Sequence, residues 1–152
     1  MSEFRPSTPE SRGAAGSLAL LDNLWFDSSG ICEADALVAV IVRKAKELKV
    51  GLAYDKTTEM GPVVTADHRK FVTDWIETGV KEGAQLVLDG RGITVPGFEN
   101  GFYLGPTILD HVTPEMTCGQ QEIFGPVLCI KRVKDFEEGL AVMNQNPFAN
   151  GS

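Results

Sequence analysis

Long apolar runs are missing from this sequence, and none approaches the roughly 20 residues a helix needs to cross a bilayer. The start is equally bare of leader features. Glu3 and Glu10 stand among few basic residues, and Leu18-Ala19-Leu20-Leu21 is the only apolar core there. That fits neither a secretory signal nor a transit peptide, so a cytoplasmic location is expected. Cations are in deficit: 14 Lys and Arg against 21 Asp and Glu give a formal net charge of -7. Phosphate binding needs clustered Lys and Arg, so the balance argues against a nucleic-acid partner. Cysteine is scarce as well. Cys32, Cys118 and Cys129 form no close pair and no repeated spacing, which excludes a disulfide framework and leaves free thiols. Together with His68 and His111 they also lack the paired spacing of a zinc site, so no metal is expected. A Gly-x-Gly-x-x-Gly nucleotide loop is absent too. Val95 stands three positions beyond Gly92 and no helix pattern follows, so Gly90-Arg91-Gly92 is turn chemistry. There are no internal repeats.

What remains is ordinary for a globular domain: 43% hydrophobic, 23% charged and 8% aromatic residues. A chain of 152 residues suits one domain that buries roughly 70% of its unfolded surface. Residues 1–30 differ from the rest. Arg5 to Gly13 is rich in Pro, Ser and Gly without periodicity, which predicts a flexible tail. Leu18 to Phe26 is an apolar patch that reads as a short helical turn or as chain lying on the core.

From Ala34 the pattern becomes helical. Leu37, Ile41, Ala45 and Leu48, widened by Val38 and Val42, predict a helix over 34–49 with Gly51 as its C-cap. The basic run Arg43 to Lys49 lies on it and reads as a solvated face. Thr65 offers an N-cap for a second helix over 66–82, with Phe71, Val72, Trp75, Ile76 and Val80 on one face. Trp75 at that spacing reads as core, and Gly79 weakens the last turn. Strands are expected at Gln85–Leu88, Phe102–Leu104, Thr107–Leu109 and Val127–Val133, with a loop over His111–Gln120. Asp135 and Glu138 form a capping-box variant that opens a helix ending near Asn146-Pro147. The class is α/β or α+β with a mixed sheet.

The stretch with chemistry is Gln121-Glu122-Ile123-Phe124-Gly125-Pro126-Val127. A carboxylate at the mouth of a strand can accept two strong hydrogen bonds from a sugar diol. An aromatic two residues on shares its side in extended chain. On residues alone, a plain turn entering a buried strand, with Glu122 as a solvated or capping acid, is the favoured reading.

Glu122-Ile123-Phe124-Gly125-Pro126-Val127 resembles the cofactor-contact motif of the aldehyde dehydrogenase superfamily. Met60-Gly61-Pro62-Val63-Val64-Thr65, Leu88-Asp89-Gly90-Arg91, Gly105-Pro106-Thr107-Ile108, Met116-Thr117-Cys118 and Asn146–Gly151 flank it in the expected order. They are most similar to the CoA-acylating branch acting on malonate- and methylmalonate-semialdehyde. The resemblance covers about Ile31 to Ser152. It implies a fragment of a three-layer α/β catalytic domain, with an incomplete sheet, at 31–152 and an unrelated tail at 1–30. It implies NAD as cofactor, with Glu122 on the nicotinamide ribose and Phe124 beside the nicotinamide, and CoA and a semialdehyde as substrates. The reaction would be oxidation through a cysteine thioester that CoA intercepts. The family's Gly-Gln-x-Cys nucleophile motif and general-base glutamate have no counterpart here, so no catalytic residue is assigned and the isolated chain is expected to be inactive. Neither Cys118 nor Cys32 has the required sequence context. A homo-oligomer, or pairing with full-length subunits, is the expected association. A hydrolytic relative and a non-catalytic interaction remnant are the alternatives.

Overall fold

A computed structural model describes the backbone of residues 23–27 and residues 31–145, with side chains from Ala34 onward. Four strands form one sheet in the order β1-β4-β3-β2: β1 (Asn23–Asp27), β2 (Gln85–Leu88), β3 (Thr107–Asp110) and β4 (Val127–Val133). β4 pairs in parallel with both β1 and β3, and β2 runs antiparallel to β3.

Side chains alternate across a strand, so each central strand serves two faces. Leu109, Val127 and Cys129 face one core with Val72 and Ile76. Ile108 and Ile130 face a second core with Val38, half-buried Leu128 and the apolar side of the first helix. Fully burying an Ile or Val contributes roughly 1.5–3 kcal/mol, so both faces hold helices firmly. The result is three layers: α1 (Ile31–Glu47) on one face, and α2 (Ala66–Glu82) with the short α3 (Thr117–Gln120) on the other. α4 (Phe136–Gln145) lies against β1 and β4. This is the partial α/β layer structure the sequence implied.

α1 runs slightly earlier than the 34–49 expected. Its inward line is Ala34, Val38, Ile41, Val42 and Ala45, and Leu37 falls at the stripe's edge and is exposed. Gly51 is not its C-cap. It lies beyond the helix, where its N–H donates to the Met60 carbonyl at 3.0 Å and an added Cβ would sit 2.7 Å from Thr58 Oγ1. α2 matches the expected span. The Thr65 hydroxyl accepts from the His68 N–H at 3.0 Å, and Gly83 closes the helix at φ 113 in the left-handed region that favours glycine. Gly79, a weak helix former, is buried where Leu109 and Cys118 press on the helix.

Three other expectations change. The part of the presumed tail that is described, residues 23–27, is an edge strand and not a helical turn. Phe102–Leu104 forms no strand: Phe102 O accepts from Val63 N at 2.9 Å, and Gly105 N donates to Gly90 O at 2.8 Å, so the segment is tied by single bonds in place of a ladder. Gly90 and Gly105 meet backbone to backbone, leaving no room for a side chain at Gly90. The loop before the motif contains α3, whose Thr117 N–H and hydroxyl are both capped by the Glu82 carboxylate at the end of α2. The Asp135 cap accepts from Glu138 N–H at 2.8 Å as expected, whereas the end at Asn146-Pro147 lies outside the described residues.

Candidate functional site

The loop from α3 into β4 begins with an alternation. Ile123 is buried in the core, while Glu122 is partly exposed and the Phe124 ring is 64% exposed. The hydrophobic gain at Ile123 pins the loop between the two residues assigned to the cofactor. The extended-chain reasoning that placed Glu122 and Phe124 on one side fails at Phe124. Its φ is 56, in the left-handed region, which costs a residue with a Cβ on the order of 1–2 kcal/mol. Such strain persists only where the surroundings over-determine it.

Those surroundings are visible. Gly125 packs so closely on α2 that an added Cβ would lie 2.7 Å from Val72 Cγ2. The Pro126 carbonyl accepts from Thr107 N–H at 2.8 Å, which locks the loop to β3, and Thr107 Oγ1 in turn accepts from Gly90 N–H at 3.0 Å. On the helix side, His68 Nε2 donates to the Phe124 carbonyl at 2.7 Å. The His68 ring stacks on Phe71, with centroids 5.9 Å apart and planes 16° from parallel, and Phe71 tilts against Trp75 at 5.6 Å. His68, and Val72 which was read only as core, therefore brace the loop beside Gly125 of the motif, roles that sequence reasoning did not assign them. The Thr65 cap signals where α2 starts, but no local pattern reveals that His68 meets a carbonyl 56 positions away.

Behind the loop sits a cluster that the spacing of the cysteines concealed. Cys118 and Cys129 are both 2% exposed and share a thiol hydrogen bond. That bond holds the Cys118 thiol below its usual range, outweighing burial and the nearby Glu82 carboxylate, both of which push it up. Lys131, on the Cys129 face of β4, is buried too and donates to the Gly119 carbonyl at 2.6 Å. Its burial lowers the ammonium pKa, while the two thiols pull it back up. Cys118 thus has partners that its sequence neighbours do not supply. It is nevertheless sealed, with Gly79 of α2 packed against its sulfur. A nucleophile must reach substrate, so this thiol is structural in the described fold.

Two other features lie away from the loop. A groove of about 840 Å³ between α1 and the sheet is lined by Val38, Val42, Val87 and Arg132 among others, and includes neither Glu122 nor Phe124. Arg132 pairs there with Asp110 at 2.7 Å and with Asp35 at 2.7 Å. Among the described residues no three His, Cys, Asp or Glu side chains converge as a metal site. No helix among them is long and apolar enough to cross a membrane.

The arrangement offers a carboxylate and an exposed aromatic from one braced loop. Comparison with known proteins identifies the family. Residues 31–152 match the model of the aldehyde dehydrogenase family. A malonate-semialdehyde dehydrogenase of Pseudomonas aeruginosa is 50% identical over 119 residues, which are 78% of this chain and 24% of that protein. The crystal structure of methylmalonate-semialdehyde dehydrogenase from Oceanimonas doudoroffii superposes with a TM-score of 0.83 at 39% identity, covering 91% of this chain and 29% of that one. A Mycobacterium tuberculosis aldehyde dehydrogenase complexed with NAD+ superposes at 0.74 with 30% identity, covering 88% and 29%. The chain thus spans about a quarter of the length of the curated relative.

Proposed function

The chain belongs to the aldehyde dehydrogenase family, and from that premise we propose that it supplies the nicotinamide-facing loop of a CoA-acylating malonate- and methylmalonate-semialdehyde dehydrogenase. The observation that carries this reading is the loop itself, with Glu122 and Phe124 turned out of the core on either side of the Ile123 anchor and fixed at Gly125 and Pro126.

Glu122 would accept hydrogen bonds from the nicotinamide ribose diol, and a charged acceptor makes such bonds roughly twice as strong as neutral ones. Phe124 would cover one side of the nicotinamide and exclude water from it. NAD, when bound, supplies the hydride acceptor. The contribution of this chain is orientation, which can carry several kcal/mol of a barrier when the reacting atoms are held in line. CoA and the semialdehyde belong to the complete enzyme in this reading, the cytoplasm is its compartment, and the chain's own thiols take no chemical part.

The test is a titration of the full, isotopically labelled chain with NAD, followed by NMR. Shifts concentrated at residues 121–126 and the first turn of α2 are expected, with weak affinity. Saturating NAD that leaves those residues unmoved would refute the assignment. A second reading, association with full-length subunits, draws on the open edge of β2 among the described strands.

A further inference from the structure

The backbone at Phe124 is left-handed, φ 56, at the residue whose ring is offered to the cofactor. His68 is the side chain that reaches from α2 to its carbonyl, at 2.7 Å. A carbonyl oxygen can only accept, so Nε2 must carry the proton. The histidine is itself fixed from two directions. Its own N–H is capped by the Thr65 hydroxyl at 3.0 Å, which sets the helical backbone beneath it. Its ring lies on Phe71, which leans on half-buried Trp75 and so on the core. A donor on a rigid helix, with its ring plane set by a stack, is aimed at the carbonyl of the very residue whose φ is strained, and so ties down the peptide unit that follows that angle.

We propose that His68 is a positioning residue of the cofactor loop: its Nε2–H holds Phe124 in the left-handed conformation that presents the ring to the nicotinamide. The proposal rests on the reading of Glu122 and Phe124 as cofactor-facing. It assigns the role to the donor atom and not to the bulk of the ring. A merely structural His68, tying α2 to the loop by packing, would tolerate loss of the donor as long as an aromatic remained on Phe71.

Two substitutions in the full chain separate the cases. His68→Phe keeps an aromatic over Phe71 and removes the donor, whereas His68→Gln keeps an N–H at similar reach and removes the ring. The readouts are the strong intraresidue amide–Hα cross-peak that a positive φ gives at Phe124, and the NAD dissociation constant from the same titration. His68→Phe should lose the cross-peak and weaken NAD binding about 3- to 10-fold, the range one neutral hydrogen bond carries. His68→Gln should retain the cross-peak and most of the affinity. In the parent chain the His68 Nε2–H should be protected from solvent exchange, with exposed His111, the only other histidine, as the unprotected reference. A cross-peak surviving in His68→Phe overturns the proposal, as does its loss with NAD affinity unchanged, or an unprotected Nε2–H in the parent. A glutamine variant as impaired as the phenylalanine one also overturns it, because a retained N–H donor would then fail to hold Phe124. If the parent itself shows no NAD-induced shift at Glu122 or Phe124, the cofactor reading falls first and takes the proposal with it.

Discussion

At the scale of single residues the loop is a balance between one strained backbone angle and the contacts that enforce it. Gly125 is where that balance is tightest, because Val72 occupies the space of any side chain and is itself fully buried. Gly125→Ala should therefore destabilise the fold by about 1–3 kcal/mol, the usual cost of overpacking. Val72→Ala in the same chain should relieve part of it, and a thermodynamic cycle on the four proteins measures the coupling. Strictly additive effects would mean the two residues do not press on each other. Glu122 is a different kind of test, since its role is chemical. Glu122→Gln removes the charge and keeps the shape, and in a complete enzyme carrying this segment turnover with NAD should fall by about tenfold, the loss of roughly 1.4 kcal/mol of charge-assisted hydrogen bonding. Steady-state kinetics identical to the parent would count against a ribose contact. Glu122 and Phe124 stand out in the sequence through a motif whose order and spacing are distinctive. The residues that brace them were not. His68 and Val72 act through contacts with the loop more than fifty positions away, which periodicity cannot encode.

At the scale of elements, the same division between local and distant information explains what could be read. α2 was foreseen because its Thr65 cap and its apolar face are local to it, whereas the closing glycine, Gly83, was not singled out. β2, β3 and β4 were foreseen because alternation and short apolar runs are local. β1 was missed because its pairing is decided by β4, more than a hundred residues away, and α3 because its capping carboxylate belongs to α2. Arg132 makes another such long-range tie. It joins Asp110 at the end of β3 and Asp35 on α1, so one guanidinium on β4 links β3 and α1. Burial pushes the Asp110 carboxyl up, but the Arg132 hydrogen bonds and the His111 N–H outweigh it and leave its pKa below the ordinary value. The sign follows directly. A carboxylate depressed in the folded state stabilises above its unfolded pKa of about 3.9 and loses that contribution as pH falls through the folded value. Asp110→Asn should cost about 3 kcal/mol at neutral pH, as removal of one partner from a buried pair does. The gap between the two melting temperatures should then close as pH falls below about 4. A gap that persists undiminished in acid would place the loss in packing and not in the ion pair.

At the scale of the whole molecule, the chain is a set of layers with open borders. Among the described strands, β2 pairs on one side only, and β1 pairs only with β4. Edges of that kind present unpaired donors and acceptors to other chains. Apolar side chains add to the exposed surface, including Leu37 and Val40 on α1, Phe71 and Val80 on α2, and Phe136 and Leu140 on α4. Scattered exposed residues are normal, but beside open strands they favour association. The purified chain should therefore self-associate with increasing concentration, or bind a full-length subunit when one is supplied, and sedimentation velocity over a concentration series reads either outcome. A monomer that stays monomeric throughout would remove the association claim. Catalysis is a separate matter. Covalent oxidation of an aldehyde needs a nucleophile, a base and an oxyanion donor acting as one unit, and loss of the nucleophile alone removes almost all of the rate enhancement. Cys118 has a lowered pKa, which favours a thiolate, yet at 2% exposure it meets Cys129 and α2 and not solvent. Accessibility outranks acidity here, because a thiolate that no substrate can reach performs no chemistry. The purified chain should show no NAD- and CoA-dependent turnover of malonate semialdehyde. It should also resist alkylation at Cys118 and Cys129 until it is unfolded. Turnover above host background, abolished by Cys118→Ser, would show that the sealed thiol opens and would make this segment a catalyst in its own right.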